Sequence, residues 1–165
     1  MKVLICGAGI GGLSAALLCK QRGFEVKIIE KGPEFQEEGF AIILWANGMR
    51  VLKKLGLLEE FMTASVISPR SLEQTKDGTI LNDINVRTVG AETRRISKRY
   101  DLRKLLMREQ NITWGTTIQH LEQISRNVLV TYNNNDKELF DVVIGADGIN
   151  STVRNLIFED VRPYR

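Results

Sequence analysis

The segment Gly7-Ala8-Gly9-Ile10-Gly11-Gly12 carries the residue types best suited to holding a phosphate group. Gly7, Gly9 and Gly12 stand at G-x-G-x-x-G spacing. In that pattern the first glycine turns the backbone sharply, and the second lets a pyrophosphate approach the main chain. The third lets a helix lie close to a strand. A helix opening there directs unpaired N–H groups and its positive dipole end at the phosphates. Glu30 follows eighteen residues after Gly12. Its carboxylate can accept hydrogen bonds from both ribose hydroxyls of an adenosine and would repel a 2′-phosphate. That favours FAD or NAD over NADP as the bound dinucleotide.

The flanking elements fit this use. Val3-Leu4-Ile5-Cys6 is a short apolar run with β-branched members, which predicts a buried strand. Leu13 to Arg22 lacks proline and glycine and predicts a helix, with Gly23 at its C-cap. Val26, Ile28 and Ile29 predict a second strand ending at Glu30. Strand, glycine turn, helix, strand and acid thus fall within thirty residues.

Further along, Gly39 to Leu44 reads as an apolar strand. A helix carries Met49, Val51, Leu52 and Leu55 and closes at Gly56, and a shorter one spans Leu57 to Met62. Strand-like alternation runs from Arg70 to Ile96 around the hairpin turn Asp77-Gly78. Helical periodicity returns after Arg99, with Leu102, Leu105 and Leu106 on one face. Strands are expected at Ile118–Ile124, Val128–Tyr132, Leu139–Phe140 and Val142–Ile144, and a last helix at Asn150–Ile157.

Composition narrows the class. With 43% hydrophobic and 26% charged residues, the 165-residue chain is a globular domain rather than a disordered or fibrous one. Its net charge of +3 gives no argument for nucleic acid. No apolar run reaches the roughly 18 residues of a membrane helix. No secretion signal is evident, so a cytoplasmic location is expected. Cys6 and Cys19 match no zinc or redox spacing and read as apolar fillers. His120 is the only histidine. Neither a metal cluster nor a catalytic acid, base or nucleophile is readable.

These motifs together resemble the N-terminal half of a class A FAD-dependent monooxygenase, the aromatic hydroxylases of p-hydroxybenzoate hydroxylase type. The glycine fingerprint is one match. Gly39-Phe40-Ala41-Ile42 through Asn47-Gly48 to Leu55-Gly56-Leu57 resembles the family segment that passes the flavin ring. Arg99-Tyr100-Asp101-Leu102 with Leu106 resembles its Arg-x-x-Leu-x-x-x-Leu helix start. Val143-Ile144-Gly145-Ala146-Asp147-Gly148 through Arg154 resembles its Asp-Gly motif.

The resemblance implies an α/β, Rossmann-like FAD/NAD(P)-binding fold with a parallel sheet core and a β-meander. A partial β segment of a substrate domain accompanies it. Residues 1–69 and 97–165 would form the FAD-binding domain and residues 70–96 the first substrate-domain strands. The implied cofactor contacts are Gly7, Ala8, Gly9, Ile10, Gly11, Gly12, Glu30, Lys31, Ala41, Arg99, Asp147 and Gly148. Asp147 can equally cap the following helix. Arg154 is expected to hold that helix by an ion pair. Trp45 either lines the flavin region or packs in a core. Arg94, Arg95, Lys98, Arg103, Lys104 and Arg108 read as a solvated basic face around Arg99.

The implied activity is hydroxylation of a small organic molecule, aromatic in kind, by FAD, with NAD(P)H as a transient co-substrate and O2 as oxidant. The family's later Gly-Asp motif has no match, since no Gly-Asp dipeptide occurs in the chain. A fragment or split subunit is therefore expected, with open strands at 70–96 available for self-association or a complementing chain. The competing expectation is a non-catalytic module that binds FAD or an adenine nucleotide.

Overall fold

A computed structural model describes residues 1–34, 40–85 and 94–158. Gly39 and residues 86–93, part of the expected strand stretches, lie outside the described residues. The elements in chain order are β1 (Lys2–Cys6), α1 (Ile10–Gln21), β2 (Glu25–Glu30), β3 (Ala41–Leu44), α2 (Ala46–Leu55), α3 (Leu58–Thr63), β4 (Val66–Ile67), β5 (Arg70–Gln74) and β6 (Ile80–Asn85). They continue with β7 (Arg95–Lys98), α4 (Arg99–Met107), β8 (Ile112–Trp114), β9 (Ile118–Ile124), β10 (Asn127–Tyr132), β11 (Lys137–Phe140), β12 (Val142–Gly145) and α5 (Thr152–Ile157). The chain divides into two compact units, Met1–Gln36 with Leu106–Arg165, and Glu37–Leu105.

The first unit is built on a parallel sheet of order β12-β1-β2-β8. β1 lies between β2 and β12, with Leu4 opposite Lys27 on one side and Val143 on the other. Buried parallel strands are expected to be near-continuously apolar. Val3, Leu4, Ile5 and Cys6 are each at most 3% exposed. α1 packs on β1 and β2, burying Leu13 and Ala16 completely. The antiparallel meander β11-β10-β9 joins Leu4, Cys6 and Ile29 of the parallel sheet in one core through Ile118, Val130, Tyr132 and Phe140. Enclosing a side chain such as Phe140 contributes about 1.5–3 kcal/mol.

An ionic cluster ties sheet to meander. Lys27 Nζ donates to Glu138 Oε2 at 2.5 Å, and Lys2 Nζ lies 2.9 Å from Oε1. The Tyr132 hydroxyl donates to Oε2 at 3.0 Å, and Lys27 stands over the Tyr132 ring. Partial burial pushes the Glu138 carboxyl up, but the bonds from Lys27, Lys2 and Tyr132 outweigh it and hold it down at about 2. A carboxyl depressed on folding stabilises above its unfolded value and loses that contribution as pH falls through the folded one. Acid should therefore weaken the wild-type fold between about pH 5 and pH 2 more steeply than it weakens Glu138→Gln. Urea midpoints measured across that range check this, and parallel curves would contradict it.

The second unit holds an antiparallel sheet β3-β7-β4 and the hairpin β5-β6. Asp77-Gly78 forms the hairpin turn, Gly78 taking φ +89°. α2 ends at Gly56 in the left-handed conformation, where glycine carries no steric penalty. Trp45 is 55% exposed, so it is not a core tryptophan. Arg94 and Arg95 also depart from the expected solvated face. Arg94 is 8% exposed. Arg95 donates to Ser65 Oγ and to the carbonyls of Met62 and Ser65, each at 2.7 Å. For Arg95 the reason is strand pairing: β7 lies between β3 and β4, which sets Arg95 opposite Leu44 and Ile67 and within reach of Ser65.

Among the described residues, no helix is long and apolar enough to cross a membrane. None of their His, Cys, Asp and Glu side chains group in a way that could hold a metal ion.

Candidate functional site

In the first unit, the loops following β1, β2 and β12 converge at the carboxyl ends of three adjacent parallel strands. β1 sits where the sheet order reverses, the position at which open α/β sheets bind ligands. The loop after β1 begins by extending the ladder, Gly7 N donating to the Ile29 carbonyl at 2.8 Å. Gly7 takes φ +108°, and a Cβ there would meet the Ala146 carbonyl oxygen at 2.4 Å. A Cβ on Gly12 would stand 1.9 Å from the Gly7 oxygen. Those two glycines are required by the protein's own packing.

Gly9 and Gly11 differ. A Cβ at either position would meet nothing within 4 Å. Gly9 is the N-cap of α1, and no side chain caps the first turn. The backbone N–H groups of a twelve-residue helix therefore open onto space that glycine leaves clear.

Glu30 closes one edge of this cradle. Its Oε2 accepts from Ala8 N at 2.8 Å and its Oε1 from Gly32 N at 2.9 Å. Each carboxylate oxygen has a second lone pair, so the group is held rigidly and can still accept from a ligand hydroxyl. Lys31, next in the chain, is exposed. The bond to Gly32 was not foreseeable from the fingerprint, although a glycine two residues after the acid is a usable signal.

Asp147, after β12, is chiefly a capping residue. Its Oδ1 accepts from Ser151 Oγ at 2.5 Å, and its Oδ2 from Thr152 N at 2.6 Å and Val153 N at 3.2 Å. Ser151 Oγ in turn accepts from Arg154 N at 2.9 Å. The Ser151 cap escaped sequence reading, although a serine just ahead of Thr152 and Val153 is an N-cap signal. Gly148 takes φ +81° and is exposed. Arg154 holds the α5 region differently from expectation: Nη2 donates to the Ile149 carbonyl at 2.9 Å, with no ion pair among the described residues. Burial, and then the Asp147 charge, push the Cys6 thiol up to about 12, so it stays neutral and acts as core filler.

Asp147→Ala should lower stability by about 1–2 kcal/mol, the usual range for losing a side-chain acceptor of first-turn N–H groups. Ser151→Ala should cost less, because Asp147 still caps α5. Urea denaturation of both variants checks the order. Equal costs would show that Ser151 carries the cap.

Ala41 and Arg99 belong to the second unit. Ala41 pairs with Lys98, and Arg99 N donates to the Phe40 carbonyl at 2.8 Å, so the two lie at one end of the β3-β7 ladder. Arg99 is the first residue of α4 and is half-buried.

The family described as FAD binding domain matches residues 1–162. This chain belongs to that family. Two curated relatives show what accompanies such an FAD binding domain. The 3-amino-4-hydroxybenzoate 2-monooxygenase of Streptomyces cremeus is 30% identical over 174 residues, covering 99% of this chain and 44% of its own length. The 6-hydroxynicotinate 3-monooxygenase of Pseudomonas fluorescens is 29% identical, covering 93% of this chain and 42% of its own. Solved structures agree on the Rossmann-like fold. The tetrameric form of 2-methyl-3-hydroxypyridine-5-carboxylic acid oxygenase superposes with TM-score 0.82 at 27% identity, covering 94% of this chain and 42% of that one. Klebsiella pneumoniae HpxO complexed with FAD and uric acid superposes with TM-score 0.76 at 25% identity, covering 94% and 41%. The FAD binding domain described here thus spans less than half the length of these relatives. Its cofactor is FAD, which fits the open glycine cradle and the fixed Glu30 carboxylate.

Proposed function

We propose that this chain supplies the cofactor-holding part of a flavin monooxygenase that hydroxylates a small aromatic substrate, using NAD(P)H and O2. The observation that carries this reading is the cradle itself. An uncapped α1 N-terminus opens beside Gly9 and Gly11, and an anchored carboxylate stands at its edge. The relatives named above act on ring compounds, which supports the substrate class.

In this reading the N–H groups from Gly9 to Gly12 hold the pyrophosphate, with Ala8, Ile10 and Gly11 shaping the loop. Glu30 accepts from the adenosine ribose, and Lys31 lies beside it. Asp147 holds α5 so that the Gly148 backbone faces the cofactor. Arg99 and Ala41 are assigned to the cofactor by the sequence resemblance alone. When bound, FAD supplies the redox chemistry, and the chain's residues bind, orient and exclude water. No side chain of the chain is assigned as general acid or base. Residues 70–96 begin the substrate domain, and the exposed apolar side chains Leu72, Ile80 and Leu81 on β5-β6 support further strands or a second chain covering it.

Titrating the purified chain with FAD and following flavin fluorescence tests the reading, with saturable binding expected. NAD(P)H consumption stimulated by an aromatic substrate would establish turnover. Saturable binding without consumption favours the non-catalytic module, and failure to bind FAD refutes both.

A further inference from the structure

The corner that follows α4 carries two local costs side by side. Glu109 takes φ +57°, a left-handed conformation that residues with a Cβ rarely adopt. In Gln110, next in the chain, Oε1 is buried without a hydrogen-bond partner among the described residues. Strained backbone and orphaned acceptors persist only where the surroundings hold them, and strain of this kind gathers at functional sites.

What the corner gains is a grip on α1. Gln110 Nε2 donates to the Leu106 carbonyl at 2.7 Å and to the Leu13 carbonyl at 3.2 Å. Both partners are carbonyl oxygens, so the amide cannot turn over to satisfy Oε1 without losing two bonds. Lys20 Nζ donates to the Glu109 carbonyl at 3.4 Å, a second attachment of the same corner to α1. Leu13 is fully buried, and its N–H closes the first turn of α1 on the Gly9 carbonyl at 2.9 Å. The clamped residue thus directly follows the open N–H groups of the cradle.

We propose that Gln110 is a positioning residue for FAD. It clamps the first turn of α1 so that the N–H groups of that turn stay aimed at the pyrophosphate. It acts through Leu13 rather than on the ligand. Donors fixed in advance bind more tightly than donors that must first be ordered. This rests on the proposed use of the cradle for pyrophosphate and adds a residue that the glycine fingerprint does not contain.

FAD titration and amide NMR of the full chain test the clamp. Gln110→Met keeps the length of the side chain and removes both donor protons. It should bind FAD about three- to tenfold more weakly, the fold-change that one ordinary hydrogen bond carries. Gln110→Glu separates a clamp from simple packing, because its carboxyl donates only when protonated. Its FAD affinity should approach that of the wild type at about pH 5 and fall below it by about pH 8, burial raising the pH at which the carboxyl ionises. In the wild-type chain the Gln110 side-chain amide protons should exchange with water more slowly once FAD is bound, because coupling between two sites is reciprocal. That measurement needs no variant to fold. Wild-type FAD affinity in Gln110→Met, a pH-independent ratio to wild type in Gln110→Glu, or unchanged exchange in the wild-type chain would each overturn the clamp. A wild-type chain that binds no FAD overturns the cradle reading and the clamp together. FAD binding that is indifferent to Gln110 overturns the clamp alone.

Discussion

Gly12→Ala should destabilise the first unit by about 3 kcal/mol or more, the upper range for overpacking, while Gly9→Ala should fold and lose FAD. The two positions look equivalent in the G-x-G-x-x-G pattern. At Gly12 the new methyl would lie 1.9 Å from the Gly7 carbonyl oxygen and 3.3 Å from Ala146 Cβ. The first neighbour is backbone and cannot yield cheaply: Gly7 is tied through its N–H to Ile29 and sits against Ala146. Alanine's helix propensity gains only about 1 kcal/mol and does not offset that clash. At Gly9 the methyl meets no protein atom, and φ of −78° suits any residue. Stability there should change by about 1 kcal/mol or less, the difference between glycine and alanine as an N-cap. The methyl instead enters the space next to the open N–H groups. Urea denaturation and FAD titration of both variants check the contrast. A Gly9→Ala chain with wild-type FAD affinity would remove the pyrophosphate from this loop.

Glu30→Ala is expected to weaken FAD binding by about 1.5–3 kcal/mol, roughly 10- to 150-fold, the range for hydrogen bonds to a charged group. The anchoring bonds to Ala8 and Gly32 add a second consequence: the variant also loses stability, because two loops lose a shared acceptor. Glu30→Gln separates the effects. Its amide keeps the volume and one acceptor oxygen, so it should restore part of the stability and little of the affinity. FAD titration well below the melting temperature, alongside thermal melts, reads the two quantities independently. An unchanged FAD affinity in Glu30→Ala would leave Glu30 a purely structural brace.

Much of the site is readable from the chain because its signals are local. The strand Val3–Cys6, the glycine turn, the helix and Glu30 lie within thirty residues, and each rests on short-range sterics or periodicity. The meander was visible for the same reason, as apolar alternation broken by a polar turn. Strand β8 was not. Ile112–Trp114 is three residues long, and only its parallel pairing with β2 makes it an edge strand. Asp147 was readable as a motif or a cap, but the three bonds that make it a cap appear only in three dimensions.

The residues by themselves determined the fold class, the order of elements around the phosphate loop and the carboxylate at the end of β2. Backbone freedom at glycine and the periods of helix and strand act between near neighbours. Tertiary structure decided which glycines serve packing and which leave space, since Gly7 meets Ala146 only because β1 pairs with β12. It likewise drew Arg95 out of a run of basic residues that composition leaves in water. Burial depends on which strands become neighbours, and for β7 those are β3 and β4, distant in the chain.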